Sequence, residues 1–202
     1  MIIIDDFDQL SEQWFQERLG NPGASNFDKI VTNVKGEPSK QATDYMYELA
    51  AETLSGFSQE SHTNEWMQRG NELEQEARDF FEFRMDQYVR QVALIYPDEK
   101  KMYHCSPDGL TEDGGGLEIK CPKPKTHIKY LLENKFPAAE YNAQVQGSLM
   151  VSGLTHWYFM SYCPGLNPFI VRITPDEKYI QKLQTQIEKF CADLSNIIKK
   201  LK

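Results

Sequence analysis

Apolar residues recur at helical spacing through the first 85 positions and then give way to shorter runs that suit strands. Ser11 to Gly20 reads as a short helix ended by glycine. Residues 25–33 read as a second helix with Ser25 as its N-cap. Residues 42–55 place Met46, Leu49, Ala50, Thr53 and Leu54 on one face and close at Gly56, and residues 64–83 align Gly70, Leu73, Ala77, Phe80 and Phe81 in a stripe. An extended segment follows from Tyr88 to Tyr96, turned by Pro97-Asp98, and a second covers Lys101 to Ser106. Asp113-Gly114-Gly115-Gly116 signals a hairpin leading into a strand at Leu117–Cys121, which Pro122 stops. A helix follows Pro137, and two strands occupy about 155–163 and 168–173. Thr174-Pro175-Asp176-Glu177 supplies a cap, a proline at the first helical position and an acid three residues after the cap. The last helix, 175–202, carries Ile180, Leu183, Ile187, Phe190, Leu194, Ile197 and Leu201 at heptad-like spacing, a seam for its own core, another subunit or a partner. The expected fold class is α/β (α+β): one domain over residues 1–202, with a mixed β-sheet flanked by helices.

Composition narrows the function. With 40% hydrophobic and 12% aromatic residues the chain can bury a core, which excludes a disordered protein. No apolar run reaches the length of a membrane span. Met1-Ile2-Ile3-Ile4 runs straight into Asp5-Asp6, without the basic flank of a secretion leader. Cys105, Cys121, Cys163 and Cys191 show no CxxC pair or zinc spacing, so reduced thiols in a cytoplasm are expected. A net charge of −8 excludes a protein that coats nucleic acid through a basic surface, but not an enzyme with a local basic channel. Lys120, Lys123, Lys125, His127, Lys129 and Lys135 fall within sixteen residues, as a channel wall or as a solvated face.

The chemistry gathers around Ser106-Pro107-Asp108 and Glu118-Ile119-Lys120. Alternate side chains of a strand share a face, so Glu118 and Lys120 project together. The glycine turn folds them back toward Asp108. Two converging carboxylates repel unless a cation joins them, and oxygen ligands favour magnesium or manganese over zinc. The competing reading is a plain hairpin with a cross-strand lysine–carboxylate pair. Glu74 lies on the apolar stripe of its helix, where a carboxylate is costly without a partner; a metal cluster or an i,i+4 pair with Arg78 would serve. His104 and His127 read as ordinary hydrogen-bonded histidines.

Several short patterns occur in a fixed order: Trp14-x-x-x-Arg18-Leu19-Gly20, Ala24-Ser25, Gly70-x-x-x-Glu74-x-x-Ala77-Arg78, Cys105-Ser106-Pro107-Asp108-Gly109-Leu110, Leu117-Glu118-Ile119-Lys120-Cys121-Pro122 and Ala143-Gln144-Val145-Gln146. Together, over about residues 10–180, they resemble the phage lambda-type alkaline exonucleases, the YqaJ-like viral recombinase family within the PD-(D/E)xK nucleases. The resemblance implies a restriction-endonuclease-like core with Asp108, Glu118 and the Ile119 carbonyl as metal ligands and Glu74 as a helix-borne acid beside them. It implies Lys120 as the catalytic lysine, Gln144 as the glutamine that places the water or the lysine, and Arg18 with Ser25 as the grip on a terminal 5′ phosphate. It further implies magnesium, with manganese as a substitute, and two ions per site. The implied activity is processive 5′→3′ digestion of linear double-stranded DNA, releasing mononucleotides and leaving a 3′ single strand. A homotrimeric ring and a phage single-strand annealing protein as partner are implied, in the cytoplasm of a bacterial host. Taken on the residues alone, Ser25 reads as an N-cap, Arg18 as an ion pair with Glu17 or Asp28, and Gln144 as an exposed helix glutamine. Rival functions are a structure-specific or restriction-type endonuclease, a DNA-end-binding recombination scaffold, and an acidic interaction module.

Overall fold

The computed structural model describes residues 1–58 and 65–202. Strand β1 (Ile2–Ile4) pairs antiparallel with β3 (Leu94–Tyr96) in a two-stranded ribbon. Helix α1 (Glu12–Arg18) starts where Ser11 Oγ accepts the Trp14 amide at 3.2 Å. Helix α2 (Ala42–Ser55) ends on Gly56 at φ 76°, the left-handed turn that glycine adopts without strain. Helix α3 covers Glu65–Met85, and its expected start at residue 64 lies outside the described residues.

Five strands form the main sheet: β2 (Val89–Arg90), β4 (Gly109–Thr111), β5 (Gly116–Lys120), β6 (Trp157–Ser161) and β7 (Phe169–Ile173). They stand in the order β2-β4-β5-β6-β7, with β5 and β6 parallel and the other pairs antiparallel. The parallel step needs a crossover. It is supplied by α4 (Pro124–Glu133) and α5 (Ala138–Ser152). Every residue of β6 is buried because both sheet faces are covered. Trp157 and Phe159 pack into the main core with α2, α5 and the final helix α6 (Glu177–Leu201), while Tyr158 and Met160 pack with Leu117 and Ile119 against Ala77 and Phe81 of α3. Leu183, Ile187, Phe190 and Leu194 are buried in that core, so the heptad-like seam of α6 packs on its own chain; Leu201 remains exposed. Among the described residues no helix is long and apolar enough to cross a membrane.

Several expectations need correction. The helix expected at 25–33 is a 3-10 turn, Ala24–Lys29, with Gly23 at its cap position and no side-chain cap. Ser25 therefore lies inside the turn and is not an N-cap. The turn is pinned by Phe27, whose ring lies where a Cβ on Gly147 of α5 would stand, 2.4 Å away. The single strand expected at 88–96 divides into β2 and β3, because its two ends pair with partners in different sheets. Lys101–Ser106 forms only isolated bridges, His104 with Gly23 and Cys105 with Ile95, and the hairpin partner of β5 is β4. Asp176 caps α6 instead of Thr174: its carboxylate accepts the Lys178 and Tyr179 amides at 3.1 Å. Helix α4 had been hidden by its lysines; Pro124 opens it, and only His127 and Tyr130 are buried. Lys125 and Lys129 are exposed on it, Lys123 just before it and Lys135 beyond it, while His127 is buried and leaves the cluster.

Candidate active site

The β4–β5 hairpin does the positioning. Gly109 stands opposite Leu117, and the Asp108 amide donates to the Leu117 carbonyl at 3.0 Å, so Asp108 arrives beside the middle of β5. There its Oδ2 accepts the Ile119 amide at 2.5 Å. Strand alternation sends Ile119 into the core with α3 and leaves Glu118 and Lys120 on the opposite face, toward α5. Lys120 Nζ meets Glu118 Oε1 at 2.6 Å, and Gln144 Nε2 of α5 donates to that same oxygen at 2.6 Å. Glu74 approaches from α3, joined at 2.5 Å to the buried Arg78, whose Nε also donates to the Asp108 carbonyl at 3.1 Å. The Glu74–Arg78 pair is thus present inside the predicted constellation rather than instead of it, and the lysine–carboxylate pair, expected across strands, forms within β5 between Lys120 and Glu118.

These groups press on one another. Burial, then the charges of Glu118 and Glu74, hold the Asp108 carboxyl well above the usual carboxylate range. Burial also raises Glu74, against the pull of Arg78. For Lys120, burial acts to strip the proton, but Glu118 and Asp108 outweigh it and the pKa is raised. Three carboxyl groups are thus crowded beside Lys120 and Arg78, a repulsion that a bound cation would relieve. Among the described residues no three His, Cys, Asp or Glu side chains gather closely enough to hold a metal ion. Asp108 and Glu118 as anionic oxygen donors, completed by a backbone carbonyl, fit a hard divalent ion.

All five of these residues, Asp108, Glu118, Lys120, Gln144 and Glu74, line one cleft of about 550 Å³. Arg18 and Ser25 line it too. Glu17, one of the two ion-pair partners weighed for Arg18, is engaged by Lys101 at 2.6 Å. The Arg18 guanidinium lies 3.9 Å over the Trp14 ring. Gln144 is half-buried rather than exposed, and the Ile119 position is fixed by its place in β5. Two further cleft residues escaped the sequence reading. Ser106 lines the cleft with a buried Oγ that finds no hydrogen-bond partner among the described residues; its signal was its place two residues before Asp108. Arg78 was weighed only as the partner of Glu74, yet it also holds the Asp108 backbone. His127 is hydrogen-bonded as expected, to Ser161 Oγ at 2.7 Å and the Asn167 carbonyl at 2.9 Å. His104 is not: among the described residues neither ring nitrogen has a partner.

A mixed five-stranded sheet flanked by helices, with Asp108 and Glu118-x-Lys120 converging on one face, defines the restriction-endonuclease-like PD-(D/E)xK class of fold. Residues 13–155 match the YqaJ-like viral recombinase domain, and the chain belongs to that family. The alkaline exonuclease LHK-Exo from Laribacter hongkongensis is 34% identical and superimposes with a TM-score of 0.84, over 95% of this chain and 96% of that one. The structure of LHK-Exo in complex with dAMP agrees as well, with 33% identity, a TM-score of 0.84 and the same coverage. A phage-related exonuclease from Haemophilus somnus 129PT shares the fold at 16% identity, with a TM-score of 0.71 over 90% of this chain and 96% of that one. No curated protein sequence matches the chain.

Proposed function

We propose that this chain is a magnesium-dependent exonuclease that digests linear double-stranded DNA processively from the 5′ end, releasing mononucleotides and leaving a 3′ single-stranded tail. The observation that carries the reading is the meeting of Asp108, Glu118 and Lys120 with Arg18 and Ser25 in one cleft. Membership of the recombinase family and the likeness to LHK-Exo, an alkaline exonuclease crystallised with a mononucleotide, support it.

Asp108, Glu118 and the Ile119 carbonyl would hold two magnesium ions, or manganese in their place, with Glu74 at the margin. Bound there, the cations supply stabilisation of the charge that develops on the phosphate. Lys120 orients the attacking water and lends its charge to the pentacovalent state, and Gln144 steadies the Glu118 carboxylate to which that lysine is joined. Water attacks phosphorus, the bond to the 3′ oxygen breaks, and that oxygen takes up a proton as the mononucleotide leaves. The phosphate stays on the new 5′ end. Each cut thus regenerates the group that the planar Arg18 fork and the Ser25 hydroxyl are suited to grip, which favours repeated cutting.

In this reading three copies form a ring around DNA in the cytoplasm of a bacterial host and pass the 3′ tail to a phage single-strand annealing protein. A ring retains DNA by topology, which accommodates a net charge of −8. The test is digestion, with magnesium, of linear duplexes bearing 5′-phosphate or 5′-hydroxyl ends and of closed circular DNA, by the wild type and Lys120→Ala. The expected result is faster attack on the phosphorylated end, intact circles and a loss of about 10²–10⁴-fold in the variant. Cut circles would point to an endonuclease, and an inactive wild type to an end-binding scaffold.

A further inference from the structure

His104 has no part in the chemistry above, yet it is 1% exposed and only four residues ahead of Asp108. Burial and the nearby Arg18 guanidinium push its pKa down to about 3, so the ring is neutral. What holds the imidazole is shape: a Cβ on Gly23 would come within 2.5 Å of its Cε1, so the ring occupies the space that only glycine leaves open. The main chains are joined at the same point. His104 N donates to the Pro22 carbonyl at 3.2 Å, and Ala24 N donates to the His104 carbonyl at 2.9 Å. Both sides of this junction lead into the cleft. On one side the Pro22–Ala24 turn connects Arg18, at the end of α1, to Ser25. On the other, the chain runs from His104 through Ser106 to Asp108, and all four cleft residues named here line the same cavity.

We propose that His104 is a positioning residue for end recognition: its ring, seated on Gly23, sets the arm carrying Arg18 and Ser25 in register with Ser106 and Asp108. A 5′ phosphate gripped by the arm then places the scissile phosphodiester at the carboxylates. The inference rests on the exonuclease reading and deepens it. Productive geometry is sensitive to small displacements, and an error near 1 Å costs on the order of a hundredfold in rate. A buried aromatic ring against a glycine is a stiff spacer for such a task, since neither side has a flexible atom to yield.

The contact can be disturbed from both sides. Gly23→Ala adds a methyl group where the ring sits, at a φ of −98° that alanine adopts freely, and His104→Ser removes the ring. Steady-state kinetics on duplexes with 5′-phosphate and 5′-hydroxyl ends are compared for the wild type, both single variants and the double variant, alongside thermal unfolding. For each single variant, read on release of the labelled terminal nucleotide so that only the first cut counts, KM for the phosphorylated end is expected to rise by on the order of tenfold while the first cut at a 5′-hydroxyl end stays nearly unchanged. In the double variant the serine leaves room for the new methyl group, so much of the end preference should return. Independent destabilisation would instead add, and the double variant also carries the test where a single variant does not fold. Single variants that keep the wild-type preference for phosphate, or a double variant worse than both, overturn the role of His104 alone. A wild type that cuts both ends equally overturns the phosphate grip itself, and the positioning role with it.

Discussion

Lys120 Nζ and Gln144 Nε2 reach the same oxygen of Glu118, each at 2.6 Å, one from within β5 and the other from across the cleft on α5. The two should therefore differ in what their loss does. Lys120→Ala removes the charge beside the reacting phosphate and is expected to lower turnover by about 10²–10⁴-fold. Gln144→Ala leaves that charge in place and only loosens the carboxylate, for a loss of about 10–100-fold. Release of acid-soluble nucleotides from linear duplex measures both, and a Gln144 variant more impaired than the Lys120 variant would reverse the assignment.

Asp108 stands among like charges, and the cost appears whenever no cation offsets it. Asp108→Asn keeps an oxygen to accept the Ile119 amide while removing one of three carboxylates. The apoprotein should gain about 1 kcal/mol, roughly 2–4 °C in melting temperature for a domain of this size, while activity is lost. Magnesium should raise the melting temperature of the wild type and not that of the variant. A variant that melts below the wild type without magnesium would show that the carboxylate is stabilising, contrary to the crowding described above.

Arg78 joins Glu74 to the backbone of Asp108 and is itself 3% exposed. Arg78→Met is expected to cost about 2 kcal/mol in denaturant unfolding, less than a fully buried pair because the Glu74 side chain is 30% exposed. Arg78→Lys should recover little of this, since a point charge cannot serve Nε and the guanidinium end together. Equal stability of Arg78→Lys and wild type would reduce the residue to a generic cation.

The local signals carried in the sequence were those with a fixed period or a mandatory residue. Ser11 as a cap, Gly56 as a stop and the Asp113–Gly116 turn each act within a few residues, and the structure has all three. Alternation in β5 was enough to place Glu118 and Lys120 on one face. The failures are long-range. Nothing local in Tyr88–Tyr96 says that its two ends join different sheets, and nothing in Ala24–Lys29 announces that Phe27 fills the gap at Gly147. Helix α4 shows no clear period because its exposed face is basic and only His127 and Tyr130 are fully buried, with Leu131 half-buried beside them. Arg78 could be placed in the cleft only once α3 and the hairpin were seen together.

His104 gives the pH test. Its ordinary pKa of 6.5 falls to about 3 in the folded protein, through burial and then the Arg18 charge; the Tyr96 ring, 6.0 Å away, faces it without charge. Because the folded-state value is the lower one, the unfolded chain binds a proton that the folded chain refuses throughout the interval between the two. Stability from this group is complete above pH 6.5 and is lost as the pH falls toward 3, at up to about 1.4 kcal/mol per pH unit. Protonation of carboxylates also changes stability in acid, so the comparison must be with a variant rather than with neutral pH alone. His104→Leu lacks the proton site. Between about pH 8 and about pH 4.5, the wild type should lose about 2.7 kcal/mol more than this variant in urea unfolding. Parallel losses in the two proteins would mean that His104 is reached by solvent or finds a partner for its charged form, and that the neutral ring on Gly23 is not the state that holds the cleft together.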